Sequence, residues 1–71
     1  MEWYSGKHEP EDNAYCWILD NNRLYSVSFY DGLIQSFIIP GYEMISLKRD
    51  NIKAWTYDEF PGYPEESEIK D

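Results

Sequence analysis

Residues 15–39, YCWILDNNRLYSVSFYDGLIQSFII, decide the fold because they predict three strands joined by two tight turns. Aromatic and β-branched residues dominate both sides of Asn21-Asn22. Asn tolerates the positive φ of a two-residue primed turn, so this pair predicts a β-hairpin. Asp31-Gly32 has the same turn chemistry and predicts a second hairpin with residues 33–39.

Two-residue turns would fix the register and therefore the two faces of the sheet, since cross-strand partners share a face. They would pair Cys16 with Val27 and Phe29 with Ile34. The expected core face then holds Cys16, Ile18, Tyr25, Val27, Phe29, Ile34 and Ile38. The opposite face would hold Tyr15, Trp17, Leu19, Leu24, Ser26, Ser28, Tyr30, Gln35, Phe37 and Ile39. That second face is too apolar to remain in water, so we expect the chain ends or a partner to cover it.

The rest of the chain gives weaker signals. Pro40-Gly41 ends the third strand, and residues 52–57 alternate as a last strand should. The structure of residues 42–50 stays open, because 44–49 suits a short strand or a helical turn equally. We predict a mainly β fold, a small antiparallel meander of three to four strands with the chain ends packed across one face. Residues 1–64 would form this single domain, and 65–71 an acidic, frayed tail.

Charge is concentrated at the two ends of the chain. The net charge is −8. Residues 1–12 carry four carboxylates against one lysine, and residues 57–71 carry six against one, whereas the middle is balanced. This distribution argues against direct nucleic-acid binding and permits a protein partner with a basic surface, although solubility alone also explains it.

Length limits the size of the core, and the single cysteine indicates a reducing compartment. A chain of 71 residues buries a small core, and three Trp, seven Tyr and three Phe are available to fill it. Cys16 is the only cysteine, so no internal disulfide can form. The first residues have neither a basic region nor an apolar run, and no segment is long enough for a membrane span. We expect a cytoplasmic protein that does not bind membranes.

No residue pattern in the sequence predicts catalysis. His8 stands among Glu9, Glu11 and Asp12, but one histidine in a turn is a poor metal site, so we expect an exposed turn residue. Cys16 falls on the predicted apolar face, which favours a buried structural thiol. Adjacent carboxylates near the C-terminus lack the pocket that acid–base catalysis requires. We therefore predict no enzyme activity, no cofactor and no metal.

Short motifs along most of the chain resemble the small phage and prophage proteins of domain-of-unknown-function family 551. The matching pieces are Trp3, Glu9-Pro10-Glu11-Asp12, Tyr15-Cys16-Trp17-Ile18, Phe29-Tyr30-Asp31-Gly32, Ile52-Lys53-Ala54-Trp55, Pro61 and Pro64-Glu65-Glu66. The chain departs from the family pattern at Ala54, where a histidine commonly precedes the tryptophan, and at Asp58-Glu59-Phe60. The resemblance implies a compact β fold and a phage or mobile-element origin, with no assigned activity.

Partner binding is the function that these features favour. The C-terminal segment has more rings than a solvated tail needs, and such rings are common at interface hot spots. The candidate binding residues are Trp17, Tyr57, Asp58, Glu59, Phe60, Tyr63, Glu65 and Glu66. We predict a small acidic protein-binding module, encoded by a phage or prophage and acting on a host factor in the host cytoplasm. The alternative is an inhibitor that mimics nucleic acid to block a host nucleic-acid-binding or defence protein. The apolar second face and the small core also predict a homodimer, formed through that face or through an unpaired strand edge.

Overall fold

The computed structural model describes residues 2–21, 23–41, 45–57 and 62–71. Its strands are β1 (Trp3–Tyr4), β2 (Tyr15–Asp20), β3 (Arg23–Asp31), β4 (Ser36–Ile39), β5 (Ile45–Lys48), β6 (Ala54–Tyr57) and β7 (Ile69–Lys70). Two 3-10 turns complete the described elements, at Arg49–Asn51 and Glu66–Glu68. The mainly β character predicted from the sequence is confirmed.

All the described strands belong to one mixed sheet of seven strands, in the order β5-β4-β3-β2-β6-β1-β7. Strands β2 to β5 form an antiparallel meander, and β6 pairs with the free side of β2. β1 then pairs with β6, and β7 runs parallel to β1. The sheet is therefore larger than the predicted three to four strands, because both chain ends add strands to it instead of only packing across a face. Residues 65–71, predicted to be a frayed tail, contain the second 3-10 turn and β7.

The first hairpin pairs Asp20 with Arg23, as a two-residue turn at 21–22 requires, but its register is not the predicted one; Asn22 itself lies outside the described residues. Asn21 has a φ of 52°, and Ile18 pairs with Tyr25 as expected. Beyond that pair the register shifts, so that Cys16 faces Ser28 rather than Val27. One extra residue of β3 is thus accommodated in a β-bulge between Tyr25 and Ser28. The shift exchanges the two faces: Val27 is 56% exposed and Ser28 is 0% exposed, the reverse of the prediction.

The second hairpin turns later than the sequence suggests. Its turn comprises residues 32–35, and Phe29 pairs with Ile38 instead of Ile34. The Asp31 carboxylate caps the turn by accepting the N–H of Leu33, while Gln35 takes a φ of 51°. This longer turn places Ile34 in solvent rather than in the core.

The main core lies on the side of the sheet that we call the covered face. Of the predicted core, Cys16 and Ile18 are buried there, and Tyr25 packs against the cluster. Tyr30 and Phe37, expected on the opposite side, are fully buried in the same cluster because of the bulge and the longer turn. Val27, Phe29, Ile34 and Ile38 were wrongly predicted as core; they are exposed or half-buried. Trp55 and Ile52 complete the cluster.

Residues 5–14, which we call the strap, lie across this covered face. Tyr30 donates its hydroxyl hydrogen to Glu9 Oε2 at 2.8 Å, and Trp55 donates its indole N–H to the carbonyl oxygen of His8 at 2.9 Å. Arg49 Nη1 donates to the carbonyl oxygen of Gly6, also at 2.9 Å. These side chains therefore fasten the strap to the sheet by its backbone as well as by Glu9.

Candidate functional site

The opposite side of the sheet, the open face, carries an apolar row that crosses three strands. Tyr15 of β2 pairs with Phe29 of β3, which pairs with Ile38 of β4. Tyr15 is 63% exposed, whereas Phe29 and Ile38 are half-buried. Val27 is 56% exposed and lies in the bulge opposite Trp17, a residue of this open face. We call Tyr15, Val27, Phe29 and Ile38 the open patch.

Among the described residues, the cover on the open face lies over its other half. Trp3, Leu19 and Ala54 form a second buried cluster there, and Trp17, Leu24 and Ile69 pack against it. The Trp3 indole N–H donates to the carbonyl oxygen of Gly62 at 2.8 Å, so the C-terminal segment contacts this half. The open face thus has one half that contributes to the core and one half that presents rings and aliphatic groups to solvent.

The turn between β3 and β4 presents two more aliphatic side chains. Leu33 is 95% exposed and Ile34 is 54% exposed. We call residues 32–35 the apolar turn. The sequence pattern places Leu33 and Ile34 in a strand and so does not predict this turn; the available signal was the pair of aspartates, Asp12 and Asp31, whose Oδ1 atoms accept N–H groups of the turn.

Two of the ring candidates predicted from the sequence, Trp17 and Tyr57, lie on opposite faces. Trp17 pairs with Thr56, while Tyr57 pairs with Cys16, whose side chain lies in the covered core. Tyr57 packs edge-on against Trp55, at 5.0 Å between ring centroids, and its hydroxyl oxygen accepts the N–H of Glu11. Trp17 and Tyr57 therefore cannot belong to one flat binding surface.

The remaining candidates lie near the C-terminus. Tyr63, Glu65 and Glu66 are exposed, and Asp58, Glu59 and Phe60 lie outside the described residues. Glu65 takes part in a capping box with Glu68. Glu66 Oε1 lies 3.6 Å from Lys53 Nζ, so its charge is partly neutralised.

Charge and burial shift the pKa of groups at the chain ends and under the strap. Burial, with the hydrogen bond to Glu9 as a second cause, raises the pKa of Tyr30 to about 12. Glu2 Oε1 lies 2.6 Å from Lys70 Nζ, and this hydrogen bond lowers the pKa of Glu2 and raises that of Lys70. The pair links the two ends of the chain, because Glu2 directly precedes β1 and Lys70 ends β7.

Cys16 and His8 both pack against other side chains within the fold. Cys16 is buried in the core, as the sequence predicted. His8 is half-buried rather than exposed, because its ring packs 5.3 Å from that of Tyr4 within the strap contact. Within the described ranges, no group of three or more His, Cys, Asp or Glu side chains is arranged to hold a metal ion. No helix among the described residues is long and apolar enough to cross a membrane.

Comparison with known proteins returned no matching family model, no matching curated protein and no matching solved structure. The resemblance to domain-of-unknown-function family 551 therefore stays a prediction. The open patch and the apolar turn are the features of the described surface that a functional proposal must explain.

Proposed function

We propose that this chain is a small acidic, non-catalytic protein-binding module that binds its partner through the open patch. In this proposal it is an accessory protein encoded by a phage or prophage, and it acts on a host factor in the host cytoplasm. The observation that carries the binding role is the exposure of Tyr15 and Val27 beside the half-buried Phe29 and Ile38.

A contiguous apolar surface supports binding because water contact with it is unfavourable. Fully burying a side chain of this size contributes roughly 1.5–3 kcal/mol. Tyrosine is enriched at interfaces because it combines a large ring with a hydroxyl group that can hydrogen-bond. The patch is also rigid, since its row is held by the β2–β3 and β3–β4 ladders. A rigid patch loses little conformational entropy when a partner covers it.

Affinity isolation with matched baits tests this proposal. The wild type is compared with a Tyr15→Ser/Val27→Ser variant, whose fold should persist because both side chains are exposed. A Tyr63→Ser bait changes an exposed tyrosine outside the patch. We expect quantitative mass spectrometry to show a partner retained by the wild type and by Tyr63→Ser but lost by the patch variant. Equal retention by all three baits would contradict binding through the patch.

A nucleic-acid mimic is the second candidate, favoured by one observation. Glu65, Glu66 and Glu68 are exposed carboxylates within or beside a regular 3-10 turn. Two contacts weaken the resemblance to a row of phosphates: Lys53 lies 3.6 Å from Glu66, and Lys7 lies 4.0 Å from Asp71. Opposed lysines lower the local negative charge that a mimic needs.

Salt dependence separates the two candidates. Exposed opposite charges are screened over about 10 Å at 0.1 M salt, so binding by a mimic should weaken steeply with salt. A Glu65→Gln/Glu66→Gln variant should then lose its partner, whereas Tyr15→Ser/Val27→Ser should matter little. Binding through the open patch should show the opposite pattern. The contribution of the open patch should depend little on salt, because burial of apolar area does not require opposed charges.

A further inference from the structure

The apolar turn breaks the usual composition of a β-turn. Turn positions favour Gly, Pro, Asn, Asp and Ser, because these residues fit the backbone or hydrogen-bond to it. Here the centre of the turn holds Leu33, 95% exposed, and Ile34, 54% exposed. Positions where a sequence breaks local rules without a gain in folding are expected to be functional.

The backbone of this turn is held firmly although its apolar side chains are in solvent. Gly32 donates its N–H to Asp12 Oδ1 at 2.8 Å, and Leu33 donates its N–H to Asp31 Oδ1 at 3.0 Å. On the other side, Arg49 donates its backbone N–H to the carbonyl oxygen of Gln35 at 3.0 Å and its Nη2 to Gln35 Oε1 at 3.1 Å. These bonds fix the main chain and Gln35, and none of them involves the side chain of Leu33. The turn is therefore preorganised to present Leu33 and Ile34.

Negative charge surrounds the turn on the strap side. Asp12 is exposed and Asp31 half-exposed, and each uses one carboxylate oxygen to hold the turn. Two cations also lie near the turn: Arg49 is half-buried and directed to Gly6 and Gln35, and the exposed Lys48 pairs with Ser36 on the β5 side. The chain as a whole has a net charge of −8. The charges bonded directly to the turn backbone are the carboxylates of Asp12 and Asp31, and together with the net negative charge of the chain they favour a basic surface there.

We propose that the apolar turn inserts Leu33 and Ile34 into an apolar cleft of a partner protein whose rim carries Lys or Arg side chains. This inference rests on the proposed binding role and names the partner's chemistry. A second copy of the chain is disfavoured by its own charge of −8, and an anionic bilayer is disfavoured for the same reason.

Selection from a library of random-sequence peptides tests the inference without a known partner. Peptides are selected on the wild type and then titrated against the wild type and a Leu33→Ser/Ile34→Ser variant. The exposed side chains make this variant safe for folding, and an Ile45→Ser variant removes an exposed isoleucine from β5 as the control. We expect selected peptides to combine apolar residues with Lys or Arg and to bind the turn variant about 10- to 100-fold more weakly, with Ile45→Ser unaffected.

The location and charge dependence of binding complete the test. Amide NMR shifts should centre on residues 32–35, and Asp12→Asn/Asp31→Asn, which keeps the accepting oxygens, should weaken binding and reduce its salt dependence. Peptides without basic residues, or equal affinity for the turn variant, would overturn the inference. Binding lost only by Tyr15→Ser/Val27→Ser would overturn it while supporting the proposed function, and a wild type that selects no peptide would count against both.

Two further outcomes would assign the turn to another occupant. A dimer in sedimentation that Leu33→Ser/Ile34→Ser dissociates would make the occupant a second copy. Co-sedimentation with anionic phosphatidylglycerol vesicles, lost in the same variant, would make it a bilayer. Either result would overturn the proposal of a basic protein cleft.

Discussion

The two faces of this sheet differ in how far they shield large apolar side chains from water. Both carry large apolar side chains, and the covered face buries them beneath the strap. The open face buries only the half near Trp3, where Gly62 contacts the indole. Its other half leaves Tyr15 and Val27 in water.

The two faces therefore assign folding stability and partner binding to different residues. Tyr30 and Trp55 contribute both buried area and hydrogen bonds that hold the strap, so changes there should act on folding. Tyr15 and Val27 of the open patch contribute little buried area within the chain, so changes at these two residues should act on association with a partner. Variants matched across the two faces therefore test whether stability and binding depend on different residues.

The largest expected effect comes from two neighbouring residues of β3. Ser28 is fully buried and donates its hydroxyl hydrogen to the carbonyl oxygen of Cys16 at 2.7 Å. Ser28→Asp would bury an unpaired charge and should unfold a domain whose total stability is roughly 4–10 kcal/mol. Val27→Asp should cost less than about 1 kcal/mol, because Val27 is exposed. Denaturant melts measure both, and a larger loss for Val27→Asp would restore the register predicted from the sequence.

The next effect concerns the contact between the strap and the covered face. A Cβ at Gly6 would lie 2.1 Å from the backbone oxygen of Arg49, so Gly6→Ala must push the strap away. We expect a loss of about 1–3 kcal/mol in the free energy of unfolding. Gly32→Ala is the control, because its Cβ would meet the Asp12 side chain at 3.3 Å, and a side chain can move. Equal losses in thermal melts would argue that the strap is not tightly packed.

Local chemistry made part of this fold predictable. The pairing of Asp20 with Arg23, the strands on either side of that connection and the buried Cys16 follow from turn propensity and residue type. The bulge between Tyr25 and Ser28 does not, since the choice between Val27 and Ser28 as the inward residue depends on packing against other strands. Asp31-Gly32 predicts a turn correctly but not its length, because Asp31 acts as a cap rather than as a central turn residue.

The candidate site was harder to predict than the fold. The sequence indicated an apolar second face, but the register error assigned Val27 and Phe29 to the core. The strap depends on contacts between residues far apart, such as the bond from Trp55 to His8, which no local pattern specifies. Such contacts decide which face is covered, and therefore which residues are left for a partner.

A smaller effect should follow from removing the C-terminal strand. Deleting residues 65–71 removes β7, including the hydrogen bond from the Ser5 N–H to the carbonyl oxygen of Lys70 at 2.7 Å. Ile69 is half-buried against the Trp3 cluster, so the loss should be about 1–2 kcal/mol in denaturant melts. A frayed tail, as the sequence predicts, would give no change. The matched variant Lys70→Gln keeps β7 and loses only the ion pair with Glu2, so it should cost less than the deletion.

The smallest effect, and the one with a distinctive pH dependence, concerns the strap bond of Tyr30. Tyr30→Phe keeps the buried ring and removes the hydrogen bond to Glu9, which should cost about 1 kcal/mol at neutral pH. The raised pKa of about 12 means that the folded protein holds the phenolic proton more tightly than the unfolded chain does, whose pKa is near 10. The stabilisation is therefore complete below about pH 10 and is lost as the pH rises towards 12. Denaturant melts between pH 8 and 11.5 should show the wild type losing its advantage over Tyr30→Phe only in the upper part of this range. Tyr15→Phe, which changes an exposed tyrosine on the open face, should leave the alkaline profile unchanged, and parallel profiles for the wild type and Tyr30→Phe would show that the strap does not depend on the Tyr30 proton.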